Sequence, residues 1–392
     1  MKLFHISDLH LGKKLNEFSM IADQEYILGQ ILAIIAEEKP NGVLIAGDVY
    51  DKTVPSEEAM KLWDDFLIRL AAMKVPVFAI SGNHDSAIRF SNHGELVDST
   101  GIHLSPVYKG VAKCFPLRDG DVTVNIHMLP FVKPVTVRAV FGDEEINDYT
   151  DACRVAISHM NLEKSSSDIS GISGKSDESG KSPKNILIAH QFVTGAVRCE
   201  SEEVSVGGLD NVDASVFDAF DYVALGHIHG KQKIGRETVR YSGTPLKYSF
   251  SEKDHKKSIT VVNVEADGVT VSEIPLEPLH DLREIRGTYA ELTARDNYVN
   301  TKTDDYIHAI LTDENDIADA AAKLRVIYPN LMKISYDNAR TREQRDVEGA
   351  VDVENKTPLE LFEEFYKIQN NAPMNKEQRD FVIGCIGEIW RV

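Results

Sequence analysis

Ser81-Gly82-Asn83-His84-Asp85 decides the reading of this chain. It follows Val77-Phe78-Ala79-Ile80, a short apolar run of the kind that forms a buried strand. Gly-Asn alone is an ordinary turn dipeptide. An Asn, a His and an Asp packed together after a strand also make a reaction site. The Asn carbonyl can bind a hard metal, the His can donate a proton, and the Asp can hold that His in orientation.

Outward from this stretch the same grammar recurs. Leu3-Phe4-His5-Ile6 runs into Asp8-Leu9-His10, and Val43-Leu44-Ile45-Ala46 into Gly47-Asp48-Val49-Tyr50-Asp51. Ile186-Leu187-Ile188-Ala189 delivers His190, and Tyr222-Val223-Ala224-Leu225 delivers Gly226-His227-Ile228-His229. Between the first three strands, Ile27, Ile31, Ile34 and Ile35 predict a helix over 23–38, and Leu62, Trp63, Phe66, Leu67 and Leu70 a second one entered at Ser56. The chain therefore opens β-α-β-α-β, with ligand-type residues at each strand end. Residues 239–245 and 259–264 read as closing strands of the same system.

In α/β sheets, sites form at the carboxyl ends of strands. Asp8, His10, Asp48, Asn83, His84, His190, His227 and His229 offer carboxylate, imidazole and amide oxygen, which suit Mn²⁺, Fe²⁺ or Zn²⁺. Eight candidates exceed the needs of one ion. Two ions about 3.5–4 Å apart with a bridging carboxylate is the natural arrangement. With only Asp8 and Asp48 negative, two dications leave the site positive, suited to a phosphate ester and to activating water. Each piece alone has a blander reading: Asp-x-His as a helix cap, His-x-His as a surface pair, His190 as a core histidine. Five pieces, each after an apolar run, make the joint coincidence improbable. His5, His93, His127 and His159 lack such partners and are read as structural or surface residues.

Composition sets the bounds. At 392 residues the chain calls for two or three domains. Four scattered cysteines without a C-x-x-C pair argue against a disulfide framework or a zinc-thiolate site and fit a reducing, cytoplasmic setting. No signal peptide or membrane-spanning run is expected. The net charge of −19 speaks against a protein that coats nucleic acid, though not against an enzyme whose metals invert the local charge. Two basic runs (Lys231, Lys233, Arg236 and Lys253, Lys256, Lys257) are candidates for extra DNA contact, although such runs are more often solvated faces.

The domain expectation is a first domain over 1–275, with a Ser/Gly/Lys-rich flexible insertion at 163–184. A small α/β domain follows over 276–340, built from strands at 282–286, 306–311 and 331–336 and a helix at 316–328. A polar linker covers 341–356. Residues 357–392 form two amphipathic helices, entered through Thr357-Pro358-Leu359-Glu360 and in need of a surface to cover their apolar faces.

Taken together, Asp8-x-His10, Gly47-Asp48-x-x-Asp51, Gly82-Asn83-His84-Asp85, His190 and Gly226-His227-x-His229 resemble the complete signature of calcineurin-like metallophosphoesterases over residues 1–230. Ser205 to Asp210, Tyr241 to Pro245, Lys247 to Glu252 and Pro358 to Glu363 resemble the bacterial SbcD family of nuclease subunits. The resemblance implies a metallophosphoesterase β-sandwich flanked by helices, a small α/β capping domain and a C-terminal helix-loop-helix. It implies two divalent ions, expected to be Mn²⁺. Asp8, His10 and His229 would hold one and Asn83, His190 and His227 the other, with Asp48 bridging. His84 would protonate the leaving oxygen, oriented by Asp85, and Asp51 is expected in or just behind the ligand shell. It implies DNA exonuclease and structure-specific endonuclease activity in repair and recombination, with an SbcC-type coiled-coil ATPase docked on the C-terminal helices. A homodimer within a heterotetramer is implied as well. A small-nucleotide phosphodiesterase and a non-catalytic scaffold protein are the competing readings. The extra domain disfavours the first and the intact ligand set the second.

Overall fold

A computed structural model describes the chain except residues 93, 161, 163–181, 203–209, 340, 342–357, 371–373 and 390–392. The expected insertion lies outside the described residues, apart from its last three positions, where Lys184 already begins a strand. The expected linker at 341–356 and the start of the expected capping box, Thr357, also fall almost wholly outside them.

The chain divides into two compact units, residues 1–283 with 304–306, and 284–303 with 307–392. The first holds two six-stranded sheets. In one, the spatial order is Val269–Pro275, Ser258–Val264, Lys2–Ile6, Gly42–Ala46, Val77–Ile80 and Ile102–Leu104. The last four run parallel, as the helical crossovers Ile21–Glu38 and Glu57–Met73 demand. In the other, Val122–Leu129, Lys184–His190, Tyr222–Gly226 and Arg236–Tyr241 are parallel neighbours, with antiparallel Lys113–Asp119 and Gln232–Ile234 at the edges.

Side-chain alternation makes the sandwich. Ile186 and Ile188 meet Leu3, Leu44, Ala46, Phe78 and Ile80 in the core between the sheets. Leu187 and Ala189 point the opposite way, into a second core with Ala152, Cys153 and Ala156 of the helix Tyr149–Ser158. Each large apolar side chain so buried contributes roughly 1.5–3 kcal/mol. Ser56 caps its helix as its sequence context predicts, accepting from the Ala59 amide at 3.3 Å. The strands at 236–241 and 258–264, expected in one sheet system, close different sheets.

The first compact unit runs on to residue 283, past the expected end of the first domain at 275. Residues 276–283 are tied into the first unit by groups far back in the chain. Leu276 donates to the Lys257 carbonyl, Glu277 to Gln30, and His280 to the buried Asp23. The strands Leu282–Gly287, Tyr306–Leu311 and Leu331–Tyr336, which from Glu284 and Ile307 onward belong to the second unit, form a three-stranded sheet over Leu292, Leu324 and Tyr328. The helix expected over 316–328 is shorter, Ala320–Arg325, because Asp319 takes a left-handed conformation ahead of it. Helices Pro358–Asn370 and Lys376–Ile389 follow, linked by Arg379 to Glu363 at 2.5 Å, with Phe362, Phe365 and Phe381 exposed. Among the described residues no helix is long and apolar enough to cross a membrane.

Candidate metal centre

The two sheets face each other so that five strand ends open onto one place. Their registers pair Ala46 with Ile80 and Gly226 with His190, which brings the following loops level. Asp8 donates its amide to the Gly47 carbonyl and His10 to that of Asp48, stitching the first two loops together. Two glycines let strand ends approach, Gly82 beside Asp48 within one sheet and Gly226 beside Ala46 across the two. A Cβ on Gly82 would lie 2.1 Å from Asp48 Oδ1, and one on Gly226 would lie 1.8 Å from the Ala46 carbonyl oxygen. The backbone is strained where the chemistry sits: Asp8, His10, Asp48 and His227 all have positive φ, at 54°, 46°, 49° and 105°. Non-glycine residues persist there only when their surroundings hold them, and such strain clusters at functional sites.

All seven expected metal ligands converge. His10 Nε2 and His229 Nε2 stand 3.1 Å apart. Asn83 Oδ1 lies 2.9 Å from His190 Nε2 and 2.8 Å from His227 Nδ1. Asp48 Oδ2 sits between the two halves, 3.2 Å from His190 Nε2 and 3.8 Å from His10 Nε2. Three groups have ligand atoms close enough to share an ion: Asp8, His10 and His229; Asp48, His190 and His227; and His10, Asp48 and His84. The first two share no residue, and the third joins them through His10 and Asp48.

The donor set fits divalent cations. His190 Nδ1 is 2.8 Å from the Ala46 carbonyl and must donate to it, which turns the Nε2 lone pair into the site. His229 Nδ1 is engaged by Ser201 Oγ at 2.7 Å, so its Nε2 lone pair faces inward too. His227 Nε2 and His10 Nδ1 are buried without hydrogen-bond partners. Electron-rich atoms crowded this closely need a positive charge among them. In its absence the chain supplies protons. Burial would lower His190, but the charge and hydrogen bond of Asp48 override it and raise the imidazole to about 9. Asp48 is held below the usual carboxylate range, its burial outweighed by His190. Burial pushes Asp8 up to about 7. Burial, helped by the charge of His190, takes His227 down to about 3.

His84 lies beside the ligands, its ring 4.9 Å from that of His10 and its amide donating to Asp48 Oδ1 at 2.9 Å. Asp85, expected to orient it, does something else. The buried carboxylate accepts from the amides of Val49, Tyr50 and Gly82 at 3.2, 2.9 and 2.9 Å, pinning one ligand loop to another. The orienting group is the backbone carbonyl of Asp51, 2.9 Å from His84 Nδ1. The Asp51 side chain takes Lys13 Nζ at 2.7 Å and stands 3.7 Å from His10 Nδ1, behind the ligands rather than among them.

Residues that strand-end reading does not reach support His229. Glu252 and Glu202 are buried, and Glu202 Oε1 accepts from the His229 amide at 2.6 Å. The basic runs are largely spoken for. Lys257 is buried against Glu252 at 2.6 Å, Lys231 pairs with Glu273, Lys233 with Glu237, and Arg236 donates to the Phe217 and Phe220 carbonyls. These cations balance local carboxylates and close loops. Of the histidines set aside, His5 is a core residue between the Tyr222 hydroxyl and the Leu225 carbonyl, and His127 is buried against Asn185. His93 lies outside the described residues.

Residues 1–231 match the family described as calcineurin-like phosphoesterase, and residues 278–370 the family described as type 5 capsule protein repressor C-terminal domain. The chain is 31% identical over 386 residues, 97% of its length and 96% of the relative's, to the SbcD subunit of nuclease SbcCD from Staphylococcus epidermidis. Among solved structures it is similar to a dimetal phosphatase from Danio rerio, at 12% identity over 71% of this chain and 98% of that one, with a TM-score of 0.39. It is also similar to the phosphoesterase YfcE of E. coli, at 13% identity over 71% of this chain and 100% of that one, with a TM-score of 0.27. With the family match across more than half the chain and the relative aligned along nearly all of it, the chain belongs to the calcineurin-like phosphoesterases, in the SbcD family of nuclease subunits.

Proposed function

We propose that the chain is the metal-dependent nuclease component of an SbcCD-type complex, hydrolysing DNA phosphodiester bonds in concert with an SbcC-type ATPase. The observation that carries this is the convergence of seven ligand-type side chains from five strand ends, with Asp48 Oδ2 between His190 and His10 and the His84 ring alongside. The relative's name, which makes it part of the nuclease SbcCD, supports the choice of substrate and partner.

Asp8, His10 and His229 would hold one divalent ion and Asn83, His190 and His227 the other, with Asp48 available to both; Mn²⁺ would suit this mixture of oxygen and imidazole donors. When bound, the pair supplies an activated water at neutral pH and neutralises phosphoryl charge. The chain does the rest. The carbonyl of Asp51 fixes the His84 ring through Nδ1, leaving Nε2 to face the substrate and protonate the departing oxygen. The carboxylate of Asp85 keeps the loops of Asp48 and Asn83 in register. The exposed Phe362, Phe365 and Phe381 are the docking face for the ATPase's helices, within an assembly of two copies of each chain.

The test is cleavage of linear duplex DNA with Mn²⁺. Wild type should cut, and His84→Ala and Asp48→Ala should stay folded and not cut. A wild type inert toward DNA even with its ATPase supplied would move the assignment to a smaller phosphodiester.

A further inference from the structure

Where His190 is oriented by a backbone carbonyl, His229 is oriented through a chain of side chains. Its Nδ1 lies 2.7 Å from Ser201 Oγ, and that hydroxyl lies 2.7 Å from Glu252 Oε1. Nδ1 is 3.7 Å from Glu252 itself, so the hydroxyl is interposed between imidazole and carboxylate. An ionised carboxylate only accepts, so Ser201 must donate to Glu252 and accept from His229. The direction of the chain is therefore fixed: Nδ1–H to Oγ, Oγ–H to Oε1. It leaves the His229 Nε2 lone pair facing His10 Nε2, 3.1 Å away.

Glu252 is held for this task. It is fully buried and receives Lys257 Nζ at 2.6 Å, the Tyr248 amide at 3.2 Å and the Thr244 hydroxyl at 3.4 Å. Lys257 also donates to the His229 carbonyl at 2.9 Å and to Thr244 Oγ1 at 2.6 Å, so both ends of the ion pair are hydrogen-bonded. Ser201 reaches the site on a loop that is itself tied down. Glu202 clasps the amides of His229 and Cys199, and Glu200 donates to Ser251 Oγ. His190, by contrast, is oriented by the Ala46 carbonyl, which no substitution at 201 touches.

We infer that Ser201 is a positioning residue for the Asp8–His10–His229 ion site, relaying the negative charge of Glu252 to His229 and holding the tautomer that binds metal. The inference deepens the two-metal reading and rests on it. Groups that orient metal-binding histidines typically cost about 10–100-fold in affinity when removed. Here that loss should fall on one ion of the two.

The experiment is a Mn²⁺ titration of the full chain by calorimetry. Ser201→Ala should weaken one of two binding steps by about 10–100-fold and leave the other unchanged. Ser201→Thr, which keeps the hydroxyl, should restore it. Combining Ser201→Ala with His229→Ala should add nothing to His229→Ala alone. Ser201→Ala with both steps at wild-type affinity, or with both weakened equally, would overturn the inference while leaving the two-metal reading intact. A Thr variant as weak as the Ala variant would overturn it as well. Failure of wild type to take up Mn²⁺ would overturn both.

Discussion

The Nδ1 atom of His84 lies 2.9 Å from the backbone carbonyl oxygen of Asp51, while the neighbouring Asp85 carboxylate accepts hydrogen bonds from three loop amides. Proton donation and loop architecture are thus carried by adjacent residues with separate partners. His84 donates its own amide to Asp48, while its ring Nδ1 is committed to the Asp51 carbonyl. His84→Ala should therefore lower kcat for DNA cleavage by about 10²–10⁴-fold, the usual contribution of a general acid. Mn²⁺ affinity should stay within a few-fold of wild type. Parallel loss of both quantities would make His84 a ligand instead.

Asp85→Ala should behave as a folding variant. It orphans three amides in a buried setting, at a cost of about 3 kcal/mol or more. Asp85→Asn keeps one oxygen acceptor and should lose about half as much. Urea denaturation of the metal-free chain measures both. Full stability in Asp85→Ala with lost turnover would restore Asp85 to a direct role beside His84.

Metal uptake should release protons. Without metal, His190 sits at about 9 and Asp8 at about 7, both above their ordinary values, so both retain protons at neutral pH. Cations bind the deprotonated forms, so affinity should rise with pH from about 6 and level off as the pH passes about 9. Calorimetry at about pH 7 in buffers of differing ionisation enthalpy should show net release of at least one proton per chain. No dependence on buffer would contradict the assignment of His190 as a ligand.

Gly82→Ala tests the close approach of two neighbouring strand ends of one sheet, after Gly42–Ala46 and after Val77–Ile80. Its Cβ would meet Asp48 Oδ1 at 2.1 Å and the Asp48 amide at 2.5 Å, so Asp48 must move. Overpacking of this kind costs about 1–3 kcal/mol. The displaced Asp48 should weaken Mn²⁺ binding at both ions, read by the same titration. Wild-type affinity in this variant would mean that Asp48 is not shared.

The legible part of this molecule is local. Ile186 to His190 or Tyr222 to His229 announce a buried strand and its cargo within a few residues, because alternation and apolar runs are short-range signals. The face-to-face packing that brings Asn83 to His190 and His227 is not local, but strand-end clustering anticipates it. Three things are invisible in the sequence. Nothing local ties Ser201, Glu252 and Lys257 to His229, and only the fold brings Ser201 to Glu252, 51 positions away. The Asp85 carboxylate is expected on the adjacent ring, whereas unpaired amides from residues 49 and 50 compete for it and win. The basic runs read as a surface, while their cations answer carboxylates that come from other strands, such as Glu273 for Lys231.

The most direct test of the account is the number of Mn²⁺ ions held per chain by wild type, Asn83→Ala and Asp48→Ala, measured by titration with metal analysis. Two ions should bind to wild type, one should be lost in Asn83→Ala, and both should weaken in Asp48→Ala. A single ion in wild type, or an Asp48→Ala chain that keeps one site at full affinity, would contradict a centre built around a shared Asp48.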